Sequence, residues 1–158
     1  MIIEMSVNDN LFSCPATCIV NAVNCDGVMG AGLALAFRRK YPLEYYQSYQ
    51  GACWDKTLVP GVVRLWQGEH TVIADFPTVG RLGQKCLIEW VEQGLSDLRE
   101  KAEKMGVLSI GIPAIGCGIV GHDWGVVKSM IIKSFKDSAI NIYLYPPKQE
   151  SRPVTVID

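Results

Sequence analysis

Residues 19–34 of the chain read IVNAVNCDGVMGAGLA, a run that combines an apolar stretch, a glycine-rich turn and the start of a second regular element. Periodicity predicts a strand over residues 17–22 and a helix over residues 30–40, which Pro42 ends because the residue before a proline avoids the α region. Glycine allows a backbone to approach a ligand closely, and a helix N-terminus offers free N–H groups with a positive dipole. The turn therefore suits a phosphate or a ribose. The alternative is a tight turn whose glycines only pack against a sheet.

A second glycine-rich segment occupies residues 112–124 and reads IPAIGCGIVGHDW. It follows an almost fully apolar strand predicted over residues 107–112, and Asp123 suits the N-cap of a helix predicted to end near Phe135. Two such strand-to-helix loops present two sets of amide donors. Together they are suited to hold a diphosphate between them.

A third segment, residues 75–85, reads DFPTVGRLGQK and also follows a predicted strand. It contains Arg81 and Lys85. Two interpretations stay open: a loop that closes over a ligand, or an ordinary solvated loop.

The remaining periodicity predicts an α/β fold. Strands are expected over residues 1–5, 61–66, 71–76 and 140–145, with residues 67–70 as a hairpin turn. Further helices are expected over residues 43–50 and 84–105, the latter stopped by Gly106. Strands that alternate with helices indicate a sheet covered on both faces, whose ligands bind beyond the carboxyl ends of the strands. A Rossmann-type nucleotide domain fits less well, since the first loop does not match GxGxxG.

Composition sets the broad class. The 158 residues carry a net charge of −1, which argues against wrapping a nucleic acid backbone and leaves room for one local phosphate contact. The N-terminus lacks a basic flank and residues 107–121 are too short to span a bilayer, so we expect a cytoplasmic monomer without membrane contact. Six cysteines without a CxxC, beside two histidines, predict reduced thiols and no metal or other cofactor. The four tryptophans are scattered, which favours packing roles over a base-stacking platform.

The two glycine-rich motifs resemble those of macrodomains. Residues 19–24 and 27–34, with Phe37, are similar to the family's ribose-binding loop, and residues 112–118 resemble its phosphate-binding loop. Residues 8–12, NDNLF, stand where the family has Gly-Asp-Leu/Ile-Phe. The resemblance covers residues 1–145 and leaves 146–158 as a tail. It implies a three-layer α/β/α fold with a mixed sheet of about six strands and no metal.

The resemblance also implies a ligand, ADP-ribose, and the residues that bind it. Asn24 is expected to form a hydrogen bond with the distal ribose, and Asp9 or Asn10 is expected to contact the adenine. One side of the diphosphate is expected to be lined by Gly30, Ala31 and Gly32. The other side is expected to be lined by Gly116, Cys117, Gly118, Ile119 and Val120.

The branch that the chain resembles contains terminal ADP-ribose glycohydrolases, antitoxins that remove ADP-ribose from DNA, and ADP-ribose-1''-phosphate processing enzymes. Its glycohydrolases use a lysine in the third loop and an aspartate after the phosphate loop. This chain has Val79 and Val120 at those positions, which argues against the lysine–aspartate mechanism.

Other groups are then needed for catalysis. Asp26 and His122 are the expected acid–base groups, with Asn24 beside the ribose. Further acid–base candidates are Asp75 and Asp123, the latter more simply a helix cap. Lys85 could replace the missing lysine only if its loop folds back, and Cys25 or Cys117 are possible nucleophiles.

Two functions stay open. The first is a hydrolase that acts on ADP-ribosylated protein or nucleic acid, or on ADP-ribose-1''-phosphate. The second is a reader or sponge that binds ADP-ribose or a related NAD-derived nucleotide without turnover.

Overall fold

The computed structural model describes residues 1–118 and 121–148. Six strands form one sheet: β1 (Ile2–Glu4), β2 (Cys18–Val23), β3 (Arg64–Gln67), β4 (Val72–Pro77), β5 (Ser109–Ile112) and β6 (Asn141–Leu144). Four helices accompany them: α1 (Gly32–Lys40), α2 (Leu43–Trp54), α3 (Ile88–Met105) and α4 (Trp124–Phe135). The strand order is β1-β6-β5-β2-β4-β3. Only β3 runs antiparallel to its neighbour, so the sheet is mixed.

Two apolar clusters cover the two faces of the sheet. On one face α3 and α4 bury side chains such as Leu95 and Ile131. On the other face α1 and α2 bury Phe37, Tyr45 and Tyr49. The predicted three-layer α/β/α fold is therefore confirmed. Within the described ranges, no helix has both the length and the apolar character needed to cross a membrane.

Several element boundaries differ from the sequence-based expectations. Helix α1 begins at Gly32 and not at residue 30, and α2 continues to Trp54. Helix α3 begins at Ile88 and not at residue 84, because the Gln84 side chain accepts hydrogen bonds from the main chain of the preceding loop. The hairpin between β3 and β4 is confirmed. The predicted end of α3 at Gly106 is also confirmed, since this residue has a φ of +78° and forms the C-cap.

Candidate functional site

Three loops meet at the carboxyl edge of the sheet. Strand β2 lies between β5 and β4 and runs parallel to both, so the segments that follow these strands emerge side by side. We call them the ribose loop (residues 24–31), the third loop (residues 78–87) and the phosphate loop (residues 113–123). The sequence-based expectation that they share one edge is confirmed.

Asn24 organises the ribose loop. Its side chain is buried and donates from Nδ2 to the Val28 carbonyl oxygen at 2.9 Å, while its Oδ1 accepts the Asp26 N–H at 2.9 Å. The Tyr49 hydroxyl also lies 2.9 Å from this Oδ1. The second Nδ2 hydrogen has no partner among the described residues.

Helix α2 holds the ribose loop from behind. The Tyr46 hydroxyl and the Gln50 amide both donate to the Gly27 carbonyl oxygen, at 3.0 and 3.1 Å. The Tyr49 hydroxyl donates to the Asn24 carbonyl oxygen at 2.7 Å. These side chains were not predicted from the sequence, where the only signal is the occurrence of three tyrosines in one short helix.

The end of the ribose loop offers free amides. In the described part of the chain, no acceptor bonds the N–H groups of Gly30, Ala31 or Gly32. Gly32 has a φ of +57°, and no described atom lies within 4 Å of the place where its Cβ would stand. These donors lie at the start of α1, where the helix dipole favours an anion.

The phosphate loop closes into a compact ring. Gly116 has a φ of +69°, and its carbonyl oxygen accepts the His122 N–H at 2.8 Å. A Cβ at Gly121 would overlap the main chain of Gly116 and Gly118, so this approach requires glycine. Among the described residues the N–H groups of Gly116 and Gly118 have no acceptor, while that of Cys117 bonds the Ala114 carbonyl oxygen. The predicted contacts at Ile119 and Val120 lie outside the described residues.

A cavity of about 460 Å³ adjoins the start of α1 and the first two residues of the phosphate loop. It is lined by the loop after β1, by α1, by the phosphate loop and by the segment after β6, with residues that include Asp9, Asn10, Gly32, Ala114 and Tyr145. The two polar candidates here already serve the main chain. Asp9 accepts the Ser6 N–H at 2.7 Å, and Asn10 Oδ1 accepts the Phe12 N–H at 2.9 Å, so each keeps only part of its bonding capacity for a ligand.

The third loop connects the other two loops. The exposed Asp26 carboxylate accepts the Leu82 N–H at 2.8 Å, and the Cys25 N–H donates to the Gly80 carbonyl oxygen at 3.1 Å. At the other end, His122 Nε2 lies 2.7 Å from the Cys86 carbonyl oxygen. Because a carbonyl oxygen only accepts, Nε2 carries a hydrogen, and Nδ1 is the nitrogen left for chemistry. Asp26 and His122 thus both position this loop.

Asp75 is not an accessible acid–base group. It is fully buried within β4, where it bonds the Tyr45 hydroxyl and accepts Arg64 Nη2 at 2.7 Å and Nε at 3.1 Å. Burial raises the pKa of Asp75 to about 6, against the opposing effects of Arg64 and Tyr45. Its role is structural.

The remaining candidates are also clarified. Burial raises the pKa of Cys25 to about 12 and that of Cys117 to about 11, so both thiols stay protonated at neutral pH and are poor nucleophiles. Asp123 occupies the N-cap position of α4 without a side-chain cap hydrogen bond. Lys85 is exposed and forms no ion pair among the described residues. The described residues contain no group of three His, Cys, Asp or Glu side chains suited to a metal ion.

Comparison with known proteins identifies the family. The sequence pattern of the Macro domain family matches residues 20–131, most of the chain. The chain belongs to the macro domain family. This macro domain is 31% identical over 156 residues to a DNA ADP-ribosyl glycohydrolase of Thermus aquaticus, an alignment that covers 96% of this chain and 43% of the relative.

Two solved macro domain structures have the same fold, with sequence identities close to that of the relative above. The macrodomain of Thermus aquaticus DarG has a TM-score of 0.85 and 32% identity, covering 93% of this chain and 99% of that chain. Thermosipho africanus DarTG in complex with ADP-ribose has a TM-score of 0.83 and 29% identity, covering 91% of this chain and 41% of that chain. This macro domain spans 41–43% of the length of the DNA ADP-ribosyl glycohydrolases that it matches.

Proposed function

We propose that this macro domain binds ADP-ribose and hydrolyses the bond between its distal ribose and a modified macromolecule. The observation that carries the proposal is the pair of amide-lined loops: Gly30 to Gly32 on one side, and Gly116 and Gly118 on the other, have N–H groups without an acceptor among the described residues. Amides without acceptors at a helix N-terminus suit a diphosphate. The similarity to a protein solved with ADP-ribose supports the same ligand.

The cavity and the loops together define how the ligand would lie. A cavity of about 460 Å³ has the size of a small-molecule site and would take the adenosine, with Asp9 or Asn10 at the base. The diphosphate would cross between the glycine-rich loops. The distal ribose would then reach the free Nδ2 hydrogen of Asn24, beside Asp26.

The chemistry that fits these residues is direct attack by water. A water oxygen bonds to the distal ribose C1'', the bond from C1'' to the macromolecule breaks, and the leaving group departs with the electron pair. Asp26 takes the water proton, since one carboxylate oxygen serves Leu82 and the other has no partner among the described residues. Because Val79 stands where the resemblance places a lysine, no covalent lysine adduct forms. The aspartate that the resemblance implies after the phosphate loop is Val120 in this chain, and position 120 lies outside the described residues.

The second candidate is a binding module without turnover. Val79 favours it, and so does the use of Asp26 and His122 to hold the third loop. In either case we propose a reducing compartment such as the cytoplasm, because all six cysteines are free thiols. We also propose that the protein acts as a monomer.

The test is turnover of three substrates: an ADP-ribosylated single-stranded oligonucleotide, an ADP-ribosylated protein and ADP-ribose-1''-phosphate. We expect release of ADP-ribose from a macromolecule. Asp26→Asn should lower kcat about a hundredfold because it removes the base, while the affinity for ADP-ribose changes by less than about threefold because Asn still accepts the Leu82 N–H.

Asp97→Asn is the control, because Asp97 likewise accepts a main-chain N–H, that of Val63 at 2.7 Å, and belongs to α3, outside the three loops. It should leave turnover unchanged. Tight binding of ADP-ribose without turnover of any substrate would assign the binding module instead.

A further inference from the structure

A single glutamine side chain closes the turn of the third loop. Gln84 Oε1 accepts the N–H groups of Gly80 at 2.8 Å and of Arg81 at 3.1 Å, while the Gln84 N–H donates to the Arg81 carbonyl oxygen at 3.1 Å. Gly83 has a φ of +79°, a left-handed conformation that suits glycine. Residues 80–84 therefore form one hydrogen-bonded turn, which we call the Gln84 turn.

The Gln84 turn is joined to the ribose loop by two hydrogen bonds. The Cys25 N–H donates to the Gly80 carbonyl oxygen at 3.1 Å, just beyond the paired ends of β2 and β4. The Leu82 N–H donates to the Asp26 carboxylate at 2.8 Å. Leu82 lies inside the turn, directly after the second N–H that Gln84 Oε1 accepts, so the glutamine side chain determines where the Leu82 N–H points.

The Leu82 N–H is the one hydrogen-bond donor to the Asp26 side chain among the described residues. Asp26 is exposed, so without this bond its carboxylate would be free to take other staggered rotamers. A group that takes a proton from water must be held in place relative to the reacting carbon, and a displacement of about 1 Å can lower the rate about a hundredfold. The orientation of the carboxylate therefore depends on the shape of the Gln84 turn.

We propose that Gln84 is a positioning residue, which holds the Asp26 carboxylate at the distal ribose through the Leu82 N–H. The inference rests on the function proposed above, in which Asp26 takes the proton of the attacking water. Gln84 forms no hydrogen bond with Asp26 among the described residues and acts through the main chain of the turn. The simpler alternative is that Gln84 only closes the loop before α3 begins at Ile88, a role that would not involve Asp26.

Two variants separate these roles. Gln84→Met removes the accepting oxygen at nearly the same side-chain length, whereas Gln84→Glu retains it. Gln84→Met should speed exchange of the Leu82 amide hydrogen about fivefold, measured by NMR, because the turn opens more often. Its kcat on an ADP-ribosylated macromolecule should fall about tenfold while the Kd of ADP-ribose stays within about twofold, because the amide-lined loops are unchanged. Gln84→Glu should restore most of the amide protection and of kcat.

The double variant Gln84→Met with Asp26→Asn tests whether Gln84 acts through Asp26. Asp26→Asn alone already removes the base, so the addition of Gln84→Met should lower kcat by less than about twofold further. A purely structural role would instead multiply the two losses, and that result would overturn the inference.

Gln67→Met is the matched control, because Gln67 is likewise an exposed glutamine whose side chain bonds the main chain of a turn, donating to the Gly68 carbonyl oxygen at 2.9 Å. It lies at the hairpin between β3 and β4, at the opposite edge of the sheet from the three loops, and should change none of these values. An unchanged Leu82 exchange rate in Gln84→Met, or a loss of ADP-ribose affinity equal to the loss of kcat, would overturn the inference. A wild type that binds ADP-ribose but cleaves no substrate would refute the proposed hydrolase alone, and the Leu82 exchange rates would still decide whether Gln84 holds Asp26.

Discussion

The Tyr49 hydroxyl lies 2.7 Å from the main-chain carbonyl oxygen of Asn24 and 2.9 Å from its side-chain oxygen. Tyr49 is fully buried in α2, and Asn24 is buried at the start of the ribose loop. A helix on one face of the sheet thereby fixes the amide proposed to bind the distal ribose.

Replacing Tyr49 by Phe should affect both stability and ligand binding. The variant leaves a buried carbonyl oxygen without its donor, so the free energy of unfolding should fall by about 1–2 kcal/mol in urea denaturation. A loosened Asn24 should raise the Kd of ADP-ribose about threefold to tenfold, measured by calorimetry.

Tyr46→Phe is the matched variant for this prediction. In this variant the Gly27 carbonyl oxygen would keep the Gln50 donor at 3.1 Å. The affinity of the variant for ADP-ribose should therefore change by less than about twofold. Equal losses in the two variants would show that Tyr49 does not act through Asn24.

The buried pair of Arg64 and Asp75 predicts a pH-dependent stability. Arg64→Met removes the guanidinium and leaves a buried carboxylate, which should lower the free energy of unfolding by about 3–5 kcal/mol at pH 8. The pKa of Asp75 is about 6 in the folded protein and should rise further in the variant, above an unfolded value of about 3.9. A pKa raised on folding contributes stability that is present at low pH and lost as the pH rises through the folded pKa. The deficit of the variant should therefore shrink from pH 8 to pH 5.

Urea denaturation of both proteins across this pH range measures that deficit. The double variant Arg64→Met with Asp75→Asn has no carboxylate to protonate, so its deficit should not change with pH. A deficit for Arg64→Met alone that stays constant from pH 5 to pH 8 would contradict the assigned role of Asp75.

The sequence predicted those features that depend on neighbouring residues. The run from Ile19 to Ala34 indicates a strand, a glycine-rich turn and a helix because each depends on local periodicity and on glycine geometry. The alternation of strands and helices predicted a sheet covered on both faces, with ligand-binding loops beyond the carboxyl ends of its strands. The order and the antiparallel edge strand agree with the mixed sheet that the macrodomain resemblance implied.

The sequence did not predict contacts between distant segments. Asp75 looked accessible because it precedes a loop, and only the hairpin with β3 brings Arg64 beside it. The hydrogen bonds by which Asp26 and His122 hold the third loop join segments that are distant in the sequence, so this second role was not predicted. Trp54 was expected to serve in packing, and this expectation is wrong because the side chain at the end of α2 is 73% exposed.

The most direct test of the central claim is calorimetric titration of ADP-ribose into the wild type, Gly118→Ala and Gly51→Ala. At both glycines no described atom lies within 4 Å of the position of the added Cβ, and neither has a positive φ, so both variants should fold. The wild type and Gly51→Ala should bind one equivalent with similar Kd, while Gly118→Ala should bind at least about tenfold more weakly because its methyl group occupies the diphosphate position. A wild type that gives no binding heat and no shift in Tm with excess ADP-ribose, or a Gly118→Ala variant that binds as tightly as the wild type, would contradict the account.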